Sequence, residues 1–347
     1  MSKIIYLALE NLHQRFNVMM NETISPHVHH TIYPVGYDYL KIKHGQFIDI
    51  NQTIRFKAAQ LQIVAEMFAN GEILNGDTFL IADIFFPGIE SIRYMADLQG
   101  VRVRIFGFNY AGRADEHDFV QRLGEWSDYS ERGYHSICDG IFVGSEFHKA
   151  NVVAYFGLPP DKIHVTGYIW NLHWIDKLIN FVLKDVVKED YVIWPHRFAE
   201  EKGLDELESY VSGTKRKVLI TSCGNPNQKA IAFALEHKNV EYLHSLTKVE
   251  YYRLFRAAKF YLSTAYQETF GYTLQEAILF NCKIIVPKRA CYPEMVPAIN
   301  VYDPEILRGP RFSDALDYML DSVPIVPITY TMKWNDNVDK VMQIIKG

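Results

Sequence analysis

The chain has 347 residues, more than a single hydrophobic core of about 250 to 300 residues accommodates, so two domains are expected. Hydrophobic residues make up 48% and charged residues 22%, which is ample apolar material for two cores. A formal net charge of −5 argues against a protein that grips nucleic acid over its whole surface, while leaving room for a local basic groove.

The first residues carry one lysine and a short apolar run that Glu10 ends. This reads as a buried strand over 4–9, too short for the core of a signal peptide. No stretch approaches the roughly 20 apolar residues that span a bilayer, so a cytoplasmic protein without stable membrane insertion is expected. Cys138, Cys223, Cys282 and Cys291 are scattered with no CxxC pair, as free thiols in a reducing compartment would be.

Over 52–70, Ile54, Ala58, Leu61, Ala65 and Phe68 recur at three- and four-residue spacing and predict an amphipathic helix. A strand over 78–82, a helix over 88–98 and a strand over 101–108 follow. A polar loop over 109–116, a helix near 117–129, a strand over 140–143, a helix from Ser145 and a strand over 163–165 complete the first series. The pattern restarts with a strand over 191–194 and a helix near 203–212. Strands over 217–221, 240–243, 260–263 and 283–286 alternate with further helices, and a last helix covers 334–346. Strands alternating with helices predict α/β architecture, with parallel sheets covered on both faces. Two such series predict two doubly wound domains, 1–168 and 169–330, with 331–347 a C-terminal helix that can cross back to the first.

Ligands of such sheets sit at the carboxyl ends of the strands, and the loops there carry the unusual residues. After the strand near 260, the segment from Ser263 to Ala277 reads strand, loop, helix, with Glu268 in the loop and Glu276 in the second helical turn. Gly271 lets the backbone pass close to a ligand, and the N–H groups of Phe270 to Thr273 suit an anion at a helix start. A carboxylate beside a phosphate is repelled, so Glu268 and Glu276 make better acceptors for sugar hydroxyls. After the strand near 191, Trp194 to Gly203 brings Arg197, a planar fork for two phosphate oxygens, and Lys202, a compact charge. Taken alone, Arg197 paired with Glu200 or Glu201 is the plainer reading.

The Arg-x4-Lys-Gly at 197–203, followed by Glu-x7-Glu at 268–276, resembles glycosyltransferase family 4 and its relatives. These are retaining enzymes of the GT-B architecture, two Rossmann-like domains facing across a cleft. The resemblance is specific over about 190–297 and architectural over 1–168. It implies that Arg197 and Lys202 hold the diphosphate of a nucleotide sugar, expected to be UDP-linked, and that Glu268 contacts the donor sugar. Backbone N–H groups of Phe270, Gly271 and Tyr272 would meet phosphate, Glu276 the ribose hydroxyls, and the loop with Ser245, Leu246 and Thr247 the nucleobase. Ser222 or Gly224 is a weaker candidate at the same rim. The segment from Pro287 to Glu294 resembles relatives that glycosylate a modified tRNA base. Two departures stand out. The first strand–helix loop reads Glu10-Asn11-Leu12-His13 where many members have a glycine pair. The donor-sugar histidine of the family has two candidates here, Asp115 and His117.

Transfer with retention is then expected, with the leaving diphosphate stabilised by two cations and a helix terminus and no metal or other cofactor required. His27-Val28-His29-His30 lacks nearby carboxylate or cysteine partners at ligand spacing and reads as the start of a surface strand. The acceptor expected is a base in nucleic acid, hydroxymethylated phage DNA or modified tRNA. Lys41, Lys43, His44, Arg55, Lys57, Arg93, Arg102, Arg104 and Arg113 would line a groove, with Tyr37, Tyr39, Phe108 and Tyr110 to stack on a base turned out of its helix. A small molecule or polysaccharide acceptor is the alternative. A non-catalytic nucleotide-sugar sensor and a phosphate-releasing epimerase are the rival classes.

Overall fold

The computed structural model describes residues 2–11, 16–37, 50–180, 183–222, 226–307 and 309–347. Among the residues named above, Leu12, His13, Tyr39, Lys41, Lys43, His44, Cys223 and Gly224 lie outside that set. The chain divides into two compact units, Met1–Asn171 with Trp334–Gly347, and Leu172–Lys333.

In the first unit, strands β1 (Ile4–Leu7), β2 (His30–Ile32), β3 (Thr78–Ile81), β4 (Arg104–Phe108), β5 (Gly140–Val143) and β6 (Ile163–Val165) form one parallel sheet in the order β2-β1-β3-β4-β5-β6. Helices α1 (Asn17–Ile24), α2 (Arg55–Ala69), α3 (Ile89–Gln99), α4 (Trp126–Ile137) and α5 (Glu146–Phe156) connect the strands. β1, β3 and β5 are buried along their whole length, which is why they read as unbroken apolar runs. The closing helix Asn337–Lys346 belongs to this unit. Asn337 Nδ2 donates to the Tyr168 carbonyl, and Trp334 packs so close to Gly167 that a Cβ there would lie 2.5 Å from its ring.

Four expectations are revised. The 101–108 run begins only at Arg104, because Gly100 closes α3 in the left-handed region, Val101 N bonds back to Ala96 O, and Arg102 N donates to Asn75 Oδ1. The helix near 117–129 is a short 3₁₀ turn, Phe119–Arg122, followed by α4. Asp118 caps that turn by accepting from Val120 N, and Ser127 Oγ donates to Gly124 O where α4 begins. In α2 the buried face is Phe56, Lys57, Gln60, Val64, Met67 and Phe68, with Ala58 exposed. Gln60 Nε2 donates to both Ala8 O and Ile32 O at 2.8 Å, and this polar tie sets the rotation of the helix. Among the described residues, finally, several expected members of the basic groove are committed elsewhere. Phe108 is fully buried, Arg93 is spent on Val103 O, Ile137 O and Asp139, and Arg113 holds Leu123 O, Gly124 O and Ser127. Arg104 opens β4 while Phe108 closes it, so these two stand at opposite ends of the sheet. In the histidine cluster, His29 Nδ1 accepts from Ile4 N at 3.0 Å and β2 begins at His30.

In the second unit, β7 (Glu189–Trp194), β8 (Lys217–Thr221), β9 (Val240–Leu243), β10 (Ala258–Leu262), β11 (Lys283–Pro287) and β12 (Val301–Tyr302) form a parallel sheet in the order β12-β11-β10-β7-β8-β9. Helices α6 (Leu172–Asn180), α7 (Leu204–Gly213), α8 (Gln228–Glu236), α9 (Lys248–Ala257), α10 (Tyr272–Leu279), α11 (Tyr292–Met295), α12 (Phe312–Ser322) and α13 (Thr329–Met332) surround it. The core on one side joins Val192, Trp194, Leu207, Tyr210, Phe260 and Leu316. Strand order reverses between β7 and β10, the topological switch point where such sheets open a crevice for ligands.

Candidate functional site

The two loops that leave the switch point in the second unit are the ones that carry the charged motifs, and they are bonded to each other. Tyr266 N and Gln267 N both donate to Glu201 O, at 3.0 and 3.2 Å, and Thr264 Oγ1 donates to Lys202 O at 2.8 Å. Trp194 Nε1 donates to the same Thr264 hydroxyl at 3.0 Å, pinning it to the end of β7. Gly203 makes this approach feasible. Its φ is +70°, and a Cβ there would stand 2.0 Å from Thr264 O. The glycine after Lys202 is therefore dictated by close backbone contact as well as by the left-handed turn.

This lock fixes Lys202. Its Nζ donates to Gln267 O at 2.7 Å and lies 3.6 Å from Glu268 Oε2, with only 12% of the side chain exposed. Glu268 Oε1 in turn accepts from Thr269 N at 3.2 Å and Gly271 N at 3.1 Å. Gly271, at φ +75°, opens α10. The Gly271 N–H expected to point at an anion thus already holds one, the carboxylate of Glu268. Arg197 is exposed at the rim and pairs with Glu201 Oε1 at 2.8 Å.

Behind these loops lies His196, buried, its ring set edge-on to Trp194 at 5.0 Å. Burial, with the charges of Lys202 and Arg197, holds it well below the usual imidazole range, so it is neutral. In the loop after β10, Tyr266 OH donates to Asp205 and its ring lies under the Arg289 guanidinium at 4.3 Å, while Arg289 Nη2 donates to both carboxylate oxygens of Glu206.

Glu276 sits one turn into α10 and is buried, with 5% exposed. Its Oε2 accepts from Tyr251 OH at 2.7 Å, and its Oε1 from Tyr252 OH at 3.0 Å and Lys248 Nζ at 3.3 Å. The lysine ammonium also lies over both tyrosine rings, at 5.0 and 4.6 Å. Sequence reasoning does not single out these three partners, although Lys248, Tyr251 and Tyr252 share the i, i+3, i+4 face of one helix. α9 is capped by Thr247, whose hydroxyl accepts from Glu250 N while the Glu250 carboxylate accepts from Thr247 N. Leu246 and Thr247 therefore join directly to the helix that grips Glu276. Leu246 N bonds Ser222 O at 3.4 Å, and Ser245 has φ +54°.

Asp115 and His117 belong to the first unit, in the loop after β4. His117 is exposed, its backbone N–H donates to Asp115 Oδ1 at 3.0 Å, and its Nε2 lies 3.4 Å from Glu116. Asn109, the first residue of that loop, is anchored by a buried network. Asn109 Nδ2 donates to His135 Nε2 at 3.0 Å, and Tyr168 OH donates to Asn109 O at 2.9 Å. His135 Nδ1 faces the Glu131 carbonyl at 2.8 Å, and since a carbonyl only accepts, the ring proton is on Nδ1. Burial pulls His135 down to about 4 and His148 to about 3.

The fold is that of the GT-B glycosyltransferases. Sucrose-phosphate synthase from Thermosynechococcus elongatus superposes over 99% of this chain and 95% of its own, with a TM-score of 0.67 at 13% identity. WaaG, a glycosyltransferase involved in lipopolysaccharide biosynthesis, matches over 99% of each chain, with a TM-score of 0.60 at 13% identity. Anabaena HepE, solved in complex with UDP and glucose, gives 0.60 at 12% identity over 99% of this chain and 95% of its own. In sequence, the tRNA-queuosine alpha-mannosyltransferase of Drosophila melanogaster is 30% identical over 123 residues, 33% of this chain and 32% of that protein. The match thus spans about a third of that relative's length. No family model matches the chain. Among the described residues, no helix is long and apolar enough to cross a membrane.

Proposed function

We propose that this chain is a retaining glycosyltransferase that moves a sugar from a UDP-linked donor to a hydroxyl on a modified base of tRNA. The observation that carries the transferase reading is the locked pair of loops at the switch point. It holds the Lys202 ammonium and the Glu268 carboxylate 3.6 Å apart at the start of α10. An arriving diphosphate displaces the Glu268 carboxylate from Gly271 N–H and takes its place at the helix start and at Lys202. Glu268 is then free to accept hydrogen bonds from the donor sugar. Arg197 leaves Glu201 for a phosphate oxygen at no great cost, since exposed pairs contribute little. Phe270, Gly271 and Tyr272 supply backbone N–H groups, Glu276 takes the ribose hydroxyls, and Leu246 and Thr247 take the nucleobase. As the donor bond breaks, charge builds on the diphosphate, where Lys202, Arg197 and the α10 dipole meet it. His117, the exposed member of its pair, is assigned to the donor-sugar contact that the family places in this loop.

UDP is supported by the HepE complex, and the tRNA base by the mannosyltransferase similarity. The test is nucleotide release from a panel of nucleotide sugars, with and without bulk tRNA or hydroxymethylated DNA. Release from one UDP-sugar, accelerated by tRNA, is expected. Acceleration by DNA alone, or by neither, overturns the acceptor; binding without release in any combination overturns the enzyme in favour of a sensor.

A further inference from the structure

The sheet of the first unit has its own switch point, between β1 and β3, where strand order reverses. Charged side chains converge there. Glu10, just past β1, is 4% exposed, and its Oε1 accepts from Thr53 Oγ1 at 2.8 Å. Asp83, just past β3, accepts from Phe85 N at 3.0 Å through Oδ1 and is open on one side. Lys57 comes down from α2, whose position is fixed one turn on by Gln60. The lysine is 4% exposed, its ammonium lies 5.5 Å from the centre of the Phe86 ring, and its charge and that of Glu10 both act on Asp83. Among the described residues the ammonium has no hydrogen-bond partner, and each carboxylate keeps an oxygen outside the bonds just named.

For stability alone this is a poor arrangement. A buried ammonium with no acceptor among the described residues costs free energy, and the charge of Glu10 works against that of Asp83. The set is suited to a ligand instead, and its charges select which. An anion meets two carboxylates, and a metal ion or an amine meets Lys57. A neutral molecule with adjacent hydroxyls satisfies all three groups, donating to Glu10 and Asp83 and accepting from Lys57.

We propose that Glu10, Asp83 and Lys57 form a polyol-binding site in the first unit, which takes adjacent hydroxyls of the molecule that receives the sugar. That the bound molecule receives a sugar rests on the transferase reading; the site itself does not. The test is saturation-transfer NMR on the full chain with methyl α-D-glucopyranoside and myo-inositol as neutral probes, and with inorganic phosphate and ethylenediamine as charged ones. Wild type binds a neutral polyol, and Lys57→Met and Asp83→Asn each weaken it by about fivefold or more, the loss of roughly one hydrogen bond. The shift of the melting temperature by UDP is unchanged in both variants. Absence of polyol binding, undiminished binding in both variants, or preference for phosphate or the diamine overturns the site. Should Lys57→Met fail to fold, Asp83→Asn, at a partly exposed position, decides. Polyol binding without binding or cleavage of any nucleotide sugar would refute the transferase reading and leave the site standing.

Discussion

Replacing Gly203 by alanine tests the lock between the two loops of the second unit. The backbone there has φ +70°, a region that costs an L-residue roughly 1–2 kcal/mol. The new methyl would lie 2.0 Å from Thr264 O, against an ordinary contact beginning at 3.4 Å, so the loops must part by about 1.4 Å. That separation breaks the Thr264 to Lys202 bond and one or both of the bonds to Glu201 O, at about 1 kcal/mol each. A total near 3–5 kcal/mol corresponds to a melting temperature lower by roughly 6 to 20 °C for a domain of this size. Because Lys202 moves with the loop, UDP affinity falls by more than about tenfold. Thermal unfolding and titration calorimetry with UDP measure both. Gly133→Ala is the control. Gly133 lies inside α4 with nothing within 4 Å of where the alanine methyl would stand, so alanine there adds about 0.5–1 kcal/mol. A Gly203→Ala protein that melts and binds UDP like wild type would refute the lock.

Lys202→Ala lowers turnover by roughly 10²–10³-fold with the fold retained, as loss of a donor to developing charge does; steady-state kinetics with unchanged circular dichroism checks it. Glu276→Gln removes the carboxylate shared by Tyr251, Tyr252 and Lys248 and weakens UDP by about tenfold or more, read by calorimetry. Glu131 is buried beneath Gly112, and burial pushes its carboxyl up to about 8. Since the folded state holds the proton more tightly than the unfolded one, its contribution is full below about pH 4.5 and is lost as pH rises to about 8. Glu131→Gln keeps the acceptor for Arg113 N and is therefore expected to gain stability over wild type between about pH 6 and 9, as followed by denaturant unfolding at each pH. Equal pH profiles for the two proteins would contradict it.

Much of this fold is legible because parallel strands buried on both faces read as continuous apolar runs. The strands over 140–143, 163–165, 217–221 and 240–243 stand where their sequences put them. β12, two residues long, carries too little pattern to see. The α2 face is misread because Ala58 and Ala65 weigh as apolar in a pattern yet bury little, whereas Gln60 buries for its two backbone acceptors. Lys57 reads as a surface cation because a lysine is seldom fully buried, yet it is buried here. Around the candidate site, Lys202, Glu268 and Gly271 are readable from a local strand–loop–helix pattern. The partners of Glu276 are not, since Tyr251 and Tyr252 meet it only where α9 and α10 come together. Nor does a sequence state that Gly271 N–H is already taken by Glu268, a matter of one side-chain rotamer.

The most direct measurement is to incubate the protein with bulk tRNA and a UDP-sugar labelled in the sugar, digest the RNA to nucleosides, and locate the label. The label is predicted in one modified nucleoside, with the anomeric configuration of the donor kept and with the signal lost in Lys202→Ala. Label found only as free sugar, or a donor left intact with every UDP-sugar tried, would contradict it.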